Sequence, residues 1–362
     1  MQIRKILIFN PFGIGDVLFT TPLIRNLKEN LRECSISYIA NRRTESLLEH
    51  NPYIDKVFVF EKDELRNLGR KSKPALIRQL YNFYKQIKKE SYDVVFDLSM
   101  NQQYGFFLKL LNISMRIGYN FKKRGRFLTH SIDLPFGFKD KHVARYYLDL
   151  LGFLKIKASE YPFEIYISEQ DRLRALDIFT KYGLKNHDII LGICPGSGDS
   201  WQDSAYYKRW PKENFIRLCN LFNKEKGFKI VLFGSKKEKD LCDEIAKSLD
   251  GEPLNLCSKV TLGQFCCLLS LCSLIITNDG GPFHISQSLE KSVIGFFGPV
   301  DERVYGVYPG HKNSYAIKSD VSCRPCYKGF KFQGCSLDKK CLRDIDYKYV
   351  VSLVEELLNG RN

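Results

Sequence analysis

Two glycines and an acid, Gly13-Ile14-Gly15-Asp16, follow the apolar run Lys5–Phe9 and lead into an amphipathic stretch. Glycine at these positions permits a tight turn and close approach of a ligand to the backbone. A carboxylate there can cap the helix it opens, or it can take a proton from a hydroxyl. Spacing alone leaves both readings open. The turn is not a dinucleotide fingerprint, because Gly13-x-Gly15 would need glycine or alanine at position 18, where Leu18 stands. A second glycine turn, Asn278-Asp279-Gly280-Gly281-Pro282-Phe283-His284, reads as strand, turn and helix start. Backbone N–H groups at such a start face an anion, for example a diphosphate. The same residues also suit an ordinary turn with His284 buried in the core. Pro195-Gly196-Ser197-Gly198 ends another apolar run, and Lys208-Arg209 stand before the helix opened by Trp210-Pro211. Two cations placed so can meet phosphate oxygens or simply face water. In Phe233-Gly234-Ser235-Lys236-Lys237-Glu238 the acid can accept ribose hydroxyls or complement the helix dipole.

These segments need a frame to hold them. Along the first half, short apolar runs at 5–9, 35–40, 56–60, 93–98 and 115–119 alternate with helical periods at 17–31, 75–89 and 142–151. The pattern restarts with strands at 189–194, 228–233, 274–277 and 293–297 and helices at 212–224, 237–249, 261–269, 283–289 and 347–358. Such alternation predicts parallel sheets covered by helices, so the fold class is α/β with two Rossmann-like halves joined near residues 155–187. In open sheets of this kind ligands bind at the carboxyl ends of the strands. The glycine-bearing segments above fall at such ends. Those of the second half would converge on one crevice, and a nucleotide is the economical occupant.

The chain has 362 residues, 44% hydrophobic and 27% charged, which is globular composition and excludes wholesale disorder. No apolar run approaches the roughly 20 residues of a spanning helix. The amino terminus reads as a strand and a glycine turn, not as a signal peptide, so a cytoplasmic protein is expected. Net charge is +15, and residues 1–165 supply +11 of it. Of the twelve cysteines, Cys34, Cys194, Cys219, Cys242, Cys257, Cys266, Cys267 and Cys272 stand in apolar settings and read as reduced core residues. Cys323, Cys326, Cys335 and Cys341 have the spacing C-x2-C-x8-C-x5-C. Four thiolates can close a structural zinc tetrahedron, although the second pair is wide for a zinc ribbon, and reduced loop cysteines are the alternative. Asp344-Ile345-Asp346 has the form of a metal-binding DxD but directly precedes the last helix, where capping is the better reading.

Taken together, Gly13-Ile14-Gly15-Asp16-Val17-Leu18 with Thr20-Thr21-Pro22-Leu23-Ile24, Lys208-Arg209-Trp210-Pro211 and Asn278-Asp279-Gly280-Gly281-Pro282-Phe283-His284 resemble glycosyltransferase family 9. These are the ADP-heptose:lipopolysaccharide heptosyltransferases and their relatives. The resemblance spans nearly the whole chain. It implies a GT-B fold, two Rossmann-like domains facing each other across a central cleft. Residues 1–165 would bind acceptor, 166–342 would bind the nucleotide sugar, and 343–362 would form a helix returning to the first domain. It also implies inverting, metal-independent transfer of a sugar, heptose by resemblance, with no cofactor required. The donor would be ADP-heptose or another nucleoside-diphosphate sugar. The acceptor would be a lipopolysaccharide core or related glycan.

Carried over by position, Asp16 looks like the general base, with Gly13, Gly15, Thr20 and Arg124 on the acceptor side. Lys208 looks like the diphosphate-binding lysine and Glu238 like the ribose-contacting acid. Asp279, Gly280, Gly281 and His284 look like the donor loop, with Gly196 and Ser197 beside it. Lys208 and helix N–H groups would then stabilise charge on the departing diphosphate in place of a metal. Two features depart from the family pattern. Gly280 stands where heptosyltransferases carry a hydroxyl residue, and a polar insert, 199–207, separates Pro195-Gly196-Ser197-Gly198 from Lys208, placed to cover the donor.

The basic patch Arg116, Lys122, Lys123, Arg124 and Arg126 suits phosphorylated glycolipid acceptors on an anionic inner leaflet, so peripheral membrane contact is expected. The competing reading is a basic nucleic-acid-binding protein with a structural four-cysteine zinc site. No recognition-helix or RNP-type signature supports it. A nicotinamide oxidoreductase is argued against by the failed fingerprint.

Overall fold

The structure is a computed structural model that describes residues 3–185, 187–198 and 201–359. The chain divides into two compact units, Met1–Phe138 with Val143–Tyr166, and Lys139–His142 with Ile167–Asn362.

In the first unit, β1 (Lys5–Phe9), β2 (Ser35–Ala40), β3 (Lys56–Val59), β4 (Val94–Asp97), β5 (Met115–Asn120) and β6 (His130–Asp133) form one parallel sheet in the order β3-β2-β1-β4-β5-β6. Ile6 to Phe9 of the central β1 are fully buried, as a strand covered on both faces must be. The chain builds outward from β1 to β3, then returns to place β4 on the other side of β1. This leaves a topological switch point where Phe9 pairs with Asp97. The core beneath it gathers Leu7, Phe9, Ile39, Val95, Leu108 and Ile113.

The second unit repeats the plan. β7 (Ile190–Cys194), β8 (Lys229–Leu232), β9 (Leu254–Asn255), β10 (Leu274–Asn278), β11 (Val293–Phe296) and β12 (Ser314–Ile317) are ordered β12-β11-β10-β7-β8-β9. Its switch point lies between β7 and β10, where Cys194 pairs with Thr277. A small antiparallel hairpin, β13 (Tyr327–Lys328) and β14 (Lys331–Phe332), follows.

Three sequence expectations change. The single helix expected over 17–31 is two, Ile14–Leu18 and Thr21–Asn30. Pro22 has no N–H to continue the first helix but fits the opening turn of the second. The junction near 155–187 contains the helix Glu169–Lys181, which buries only Ala175 and Phe179 while Leu173 and Leu176 stay exposed, so its periodicity is weak. The final helix, Tyr347–Asn359, is built into the second unit. Val350, Leu353, Val354 and Leu358 form an apolar stripe within the second unit's core, beside Leu191, Phe215 and Phe296. That stripe needs an apolar partner, and Trp210, stacked on Phe296 at 4.1 Å, lies parallel to Tyr347 at its start.

Candidate active site

At the carboxyl end of β1, Asp16 is the third residue of the short helix Ile14–Leu18. Its Oδ2 accepts the Gly13 N–H at 3.2 Å, and Asn10 Nδ2 donates to its backbone oxygen at 2.9 Å. The capping bond left open by spacing therefore exists. It orients a half-buried carboxylate at the sheet edge, where the same group is placed to accept a proton. Thr20 is a correction. Its hydroxyl is fully buried, donates to the Val17 carbonyl at 2.6 Å and pairs with the Tyr38 hydroxyl at 3.1 Å, so it offers nothing to an acceptor. Burial foremost, with the charge of Asp16 adding, pushes the Tyr38 phenol far up, and it remains protonated beneath the turn. Arg124 lies exposed in the loop after β5, its guanidinium 5.7 Å from the Phe121 ring.

One acid at this edge had no role in the sequence reading. Asp97 ends β4, at the switch point, and is 4% exposed. Its Oδ1 accepts the Ser99 N–H at 3.0 Å and the Ser99 hydroxyl. Burial nevertheless pushes its carboxyl up to about 6. The available signal was an acid closing the otherwise apolar run Val94–Phe96.

In the second unit, Lys208 closes the short helical turn Gln202–Lys208 and is buried. Its ammonium lies 2.8 Å from Asp279 Oδ2 and 5.0 Å from the centre of the Trp201 ring. Asp279 follows β10 and leads into the helix Gly281–Ser288, whose first N–H groups have no acceptor within the helix. A buried cation and a helix start are thus brought to one strand end, a combination that suits a diphosphate. His284 sits in that helix, 3% exposed. Burial first, then His142, Lys208 and His311 nearby, holds its imidazole well below the usual range, so it stays neutral amid positive neighbours. Gly280 is in extended backbone, and a side-chain carbon there would meet the Ser197 carbonyl at an ordinary 3.5 Å.

Glu238 has backbone partners that spacing did not show. Its carboxylate accepts the N–H groups of Ser197 at 2.8 Å, Gly198 at 2.9 Å and Ser235 at 2.8 Å. It staples the loop after β7 to the end of β8, and its expected ribose contact competes with these bonds. Gly196 is glycine for the same reason, since a Cβ there would lie 1.8 Å from Glu238 Oε1. The Ser197 hydroxyl is spent on the Ala205 carbonyl at 2.9 Å. Asn278 completes the fastening, donating to Pro195 at 2.8 Å and Gly196 at 2.9 Å while accepting from Trp210 N–H at 2.8 Å. Sequence reasoning quoted Asn278 without giving it work; an amide ending a buried strand was the signal.

Asp199 and Ser200 of the polar insert lie outside the described residues. Trp201, which follows, packs against Tyr327 and Phe332 of the hairpin at 5.2 and 5.0 Å. Cys323 is exposed, Cys326 and Cys335 are partly buried and Cys341 is buried. Among the described residues no three cysteine, histidine or acidic side chains converge as metal ligands, so the four thiols are not assembled into a tetrahedron. The other eight cysteines are buried and unbridged. Asp346 Oδ1 accepts the Lys348 N–H at 2.9 Å and caps the last helix. Among the described residues no helix is long and apolar enough to cross a membrane.

A family model described as glycosyltransferase family 9 (heptosyltransferase) matches residues 80–336. Lipooligosaccharide heptosyltransferase 2 of Campylobacter jejuni is 24% identical over 366 residues, covering 98% of this chain and 99% of that protein. The crystal structure of a family 9 glycosyltransferase from Veillonella parvula superposes with a TM-score of 0.83 at 25% identity, over 99% of this chain and 98% of the other. The E. coli ADP-heptose lps heptosyltransferase II structure gives 0.75 at 20% identity, over 98% and 99%. The two parallel α/β units are those of the GT-B class. With a family match over most of its length, this chain is a glycosyltransferase and belongs to glycosyltransferase family 9.

Proposed function

We propose that the enzyme transfers heptose from ADP-heptose to a lipopolysaccharide core or related glycan, with inversion and without a metal. The observation that carries this reading is the buried Lys208 held against the start of the helix Gly281–Ser288 in a chain of this family. The donor follows from the ADP-heptose named for the E. coli neighbour, and the acceptor class from the lipooligosaccharide named for the Campylobacter relative.

In this reading Asp16 takes the proton of an acceptor hydroxyl as that oxygen attacks the anomeric carbon. The bond to the diphosphate breaks, and its electron pair leaves with ADP. Attack opposite the leaving group inverts the centre. Lys208 and the helix N–H groups stabilise the charge gathering on the diphosphate, most effectively in a water-poor site. Asp279 holds Lys208 in place, and Gly280, Gly281 and His284 shape the donor loop. Gly13 and Gly15 let the acceptor approach the turn, with Arg124 meeting its anionic groups. The acceptor is a phosphorylated glycolipid, and the enzyme works at the cytoplasmic face of the inner membrane.

Asp16→Ala tests the reading. Transfer should fall by about 10²–10⁴-fold, the usual worth of a general base, while ADP still raises the melting temperature as in the wild type. A fully active variant would remove Asp16 from the mechanism. Stabilisation by GDP- or UDP-sugars in preference to ADP-sugars would overturn the donor.

A further inference from the structure

The helix Lys73–Lys88 carries two apolar stripes. Leu76, Phe83 and Ile87 turn inward. Ile77, Leu80 and Tyr81 form a second stripe at helical spacing and are 66%, 37% and 54% exposed. An amphipathic helix needs one apolar face to fold, so the outer one calls for a separate cause. The neighbouring helix Gln102–Leu110 continues it with Phe106 and Leu110, 47% and 49% exposed. The two helices are joined by the stacked rings of Phe83 and Phe107 at 5.9 Å and by a bond from the Tyr84 hydroxyl to the Leu110 carbonyl at 3.3 Å. The face then runs on through Phe106 to Phe127 at 5.3 Å.

The segments that carry this face are strongly basic. Residues 65–89 hold eight basic and no acidic side chains, and residues 98–132 hold six and none. The cations frame the apolar groups. Lys85 lies 4.9 Å from the Tyr81 ring, Arg126 4.6 Å and Lys109 5.6 Å from Phe127. Lys122 lies 5.0 Å from Phe121.

We propose that this face docks on a lipid bilayer containing anionic headgroups. Exposed aliphatic side chains enter the headgroup boundary, and the surrounding cations meet the anionic lipids. A polynucleotide would use the cations but leave Ile77, Leu80 and Leu110 in water. The helix Gln102–Leu110 starts directly after β4, at the same sheet edge as Asp16, so a docked first unit keeps its acceptor end near the lipid surface. The proposal deepens the lipid-acceptor reading above, and its first readout, vesicle binding, needs no transfer.

The test is co-sedimentation of the full chain with phosphatidylcholine vesicles and with vesicles that also contain phosphatidylglycerol. The wild type should bind the anionic vesicles, less at high salt, and the neutral ones weakly. Ile77→Ser with Phe106→Ser, and separately Arg78→Glu with Lys85→Glu, should each lower binding by about tenfold or more. Both variants should keep the wild-type melting curve and full transfer to a delipidated, water-soluble acceptor. Equal binding to neutral vesicles, unchanged binding by both variants, or loss of activity on the soluble acceptor would overturn the proposal. So would a wild type that ignores vesicles but binds duplex RNA or dimerises through these residues. If vesicle binding fails while Asp16→Ala behaves as expected, only the docking surface falls.

Discussion

Lys208 and Asp279 form a buried ion pair at the strand end where the donor is proposed to bind. Removing one partner leaves the other charge buried and unpaired, so Lys208→Ala should destabilise the second unit by about 3–5 kcal/mol. Replacing both, Lys208→Met with Asp279→Leu, should restore most of that stability without restoring donor binding. Thermal melting and calorimetric titration with ADP separate the two effects; an active double variant would show that the pair is structural only. Glu238 makes a different point. It satisfies three backbone N–H groups, and its loss would release the loop after β7 before it removed any ligand contact. Spacing left its role open between ribose and helix dipole, and could not show a partner 41 residues away. Thr20 was misjudged on the same ground, since Tyr38 lies 18 residues on.

The elements that hold these residues are glycine-ended strands and short helices. Their positions were legible because side-chain period and glycine's backbone freedom are local properties. Where the final helix packs was not legible, because an apolar stripe states that it needs a partner and not which one. The stripe of Val350, Leu353, Val354 and Leu358 belongs to the core of the second unit. Leu353→Ala should therefore cost about 2–5 kcal/mol there. Both tryptophans, Trp201 and Trp210, lie in that unit, so fluorescence reports its unfolding. The fluorescence transition should move to lower temperature. A transition left in place would return the helix to the first unit.

Across the whole molecule, pH sets the balance among buried ionisable groups. Burial holds His311 at about 4 and keeps His284 well below its ordinary value. In the unfolded chain both titrate near pH 6.5, so the unfolded state takes up protons first as the solution is acidified. Their stabilising contribution is whole above about pH 6.5 and is lost as pH falls towards 4. Asp97 works in the opposite sense, because its folded value of about 6 lies above the unfolded 3.8, and it gains stability on acidification. The melting temperature should fall between about pH 6.5 and 4, less steeply in His311→Gln and more steeply in Asp97→Asn. A flat profile would mean that these histidines are hydrated. At this scale the division of labour is plain. Sequence by itself determined the α/β class, the two-fold repetition of the sheet plan and the strand ends followed by Asp16 and Asp279, since each follows from periodicity and turn chemistry within a few residues. Only the tertiary structure decided that Glu238 fastens three backbone N–H groups, that Thr20 is buried and that Asp97 stands at the switch point. Those outcomes depend on which distant segments fold against one another, and burial and hydrogen-bond partners exist only once they have.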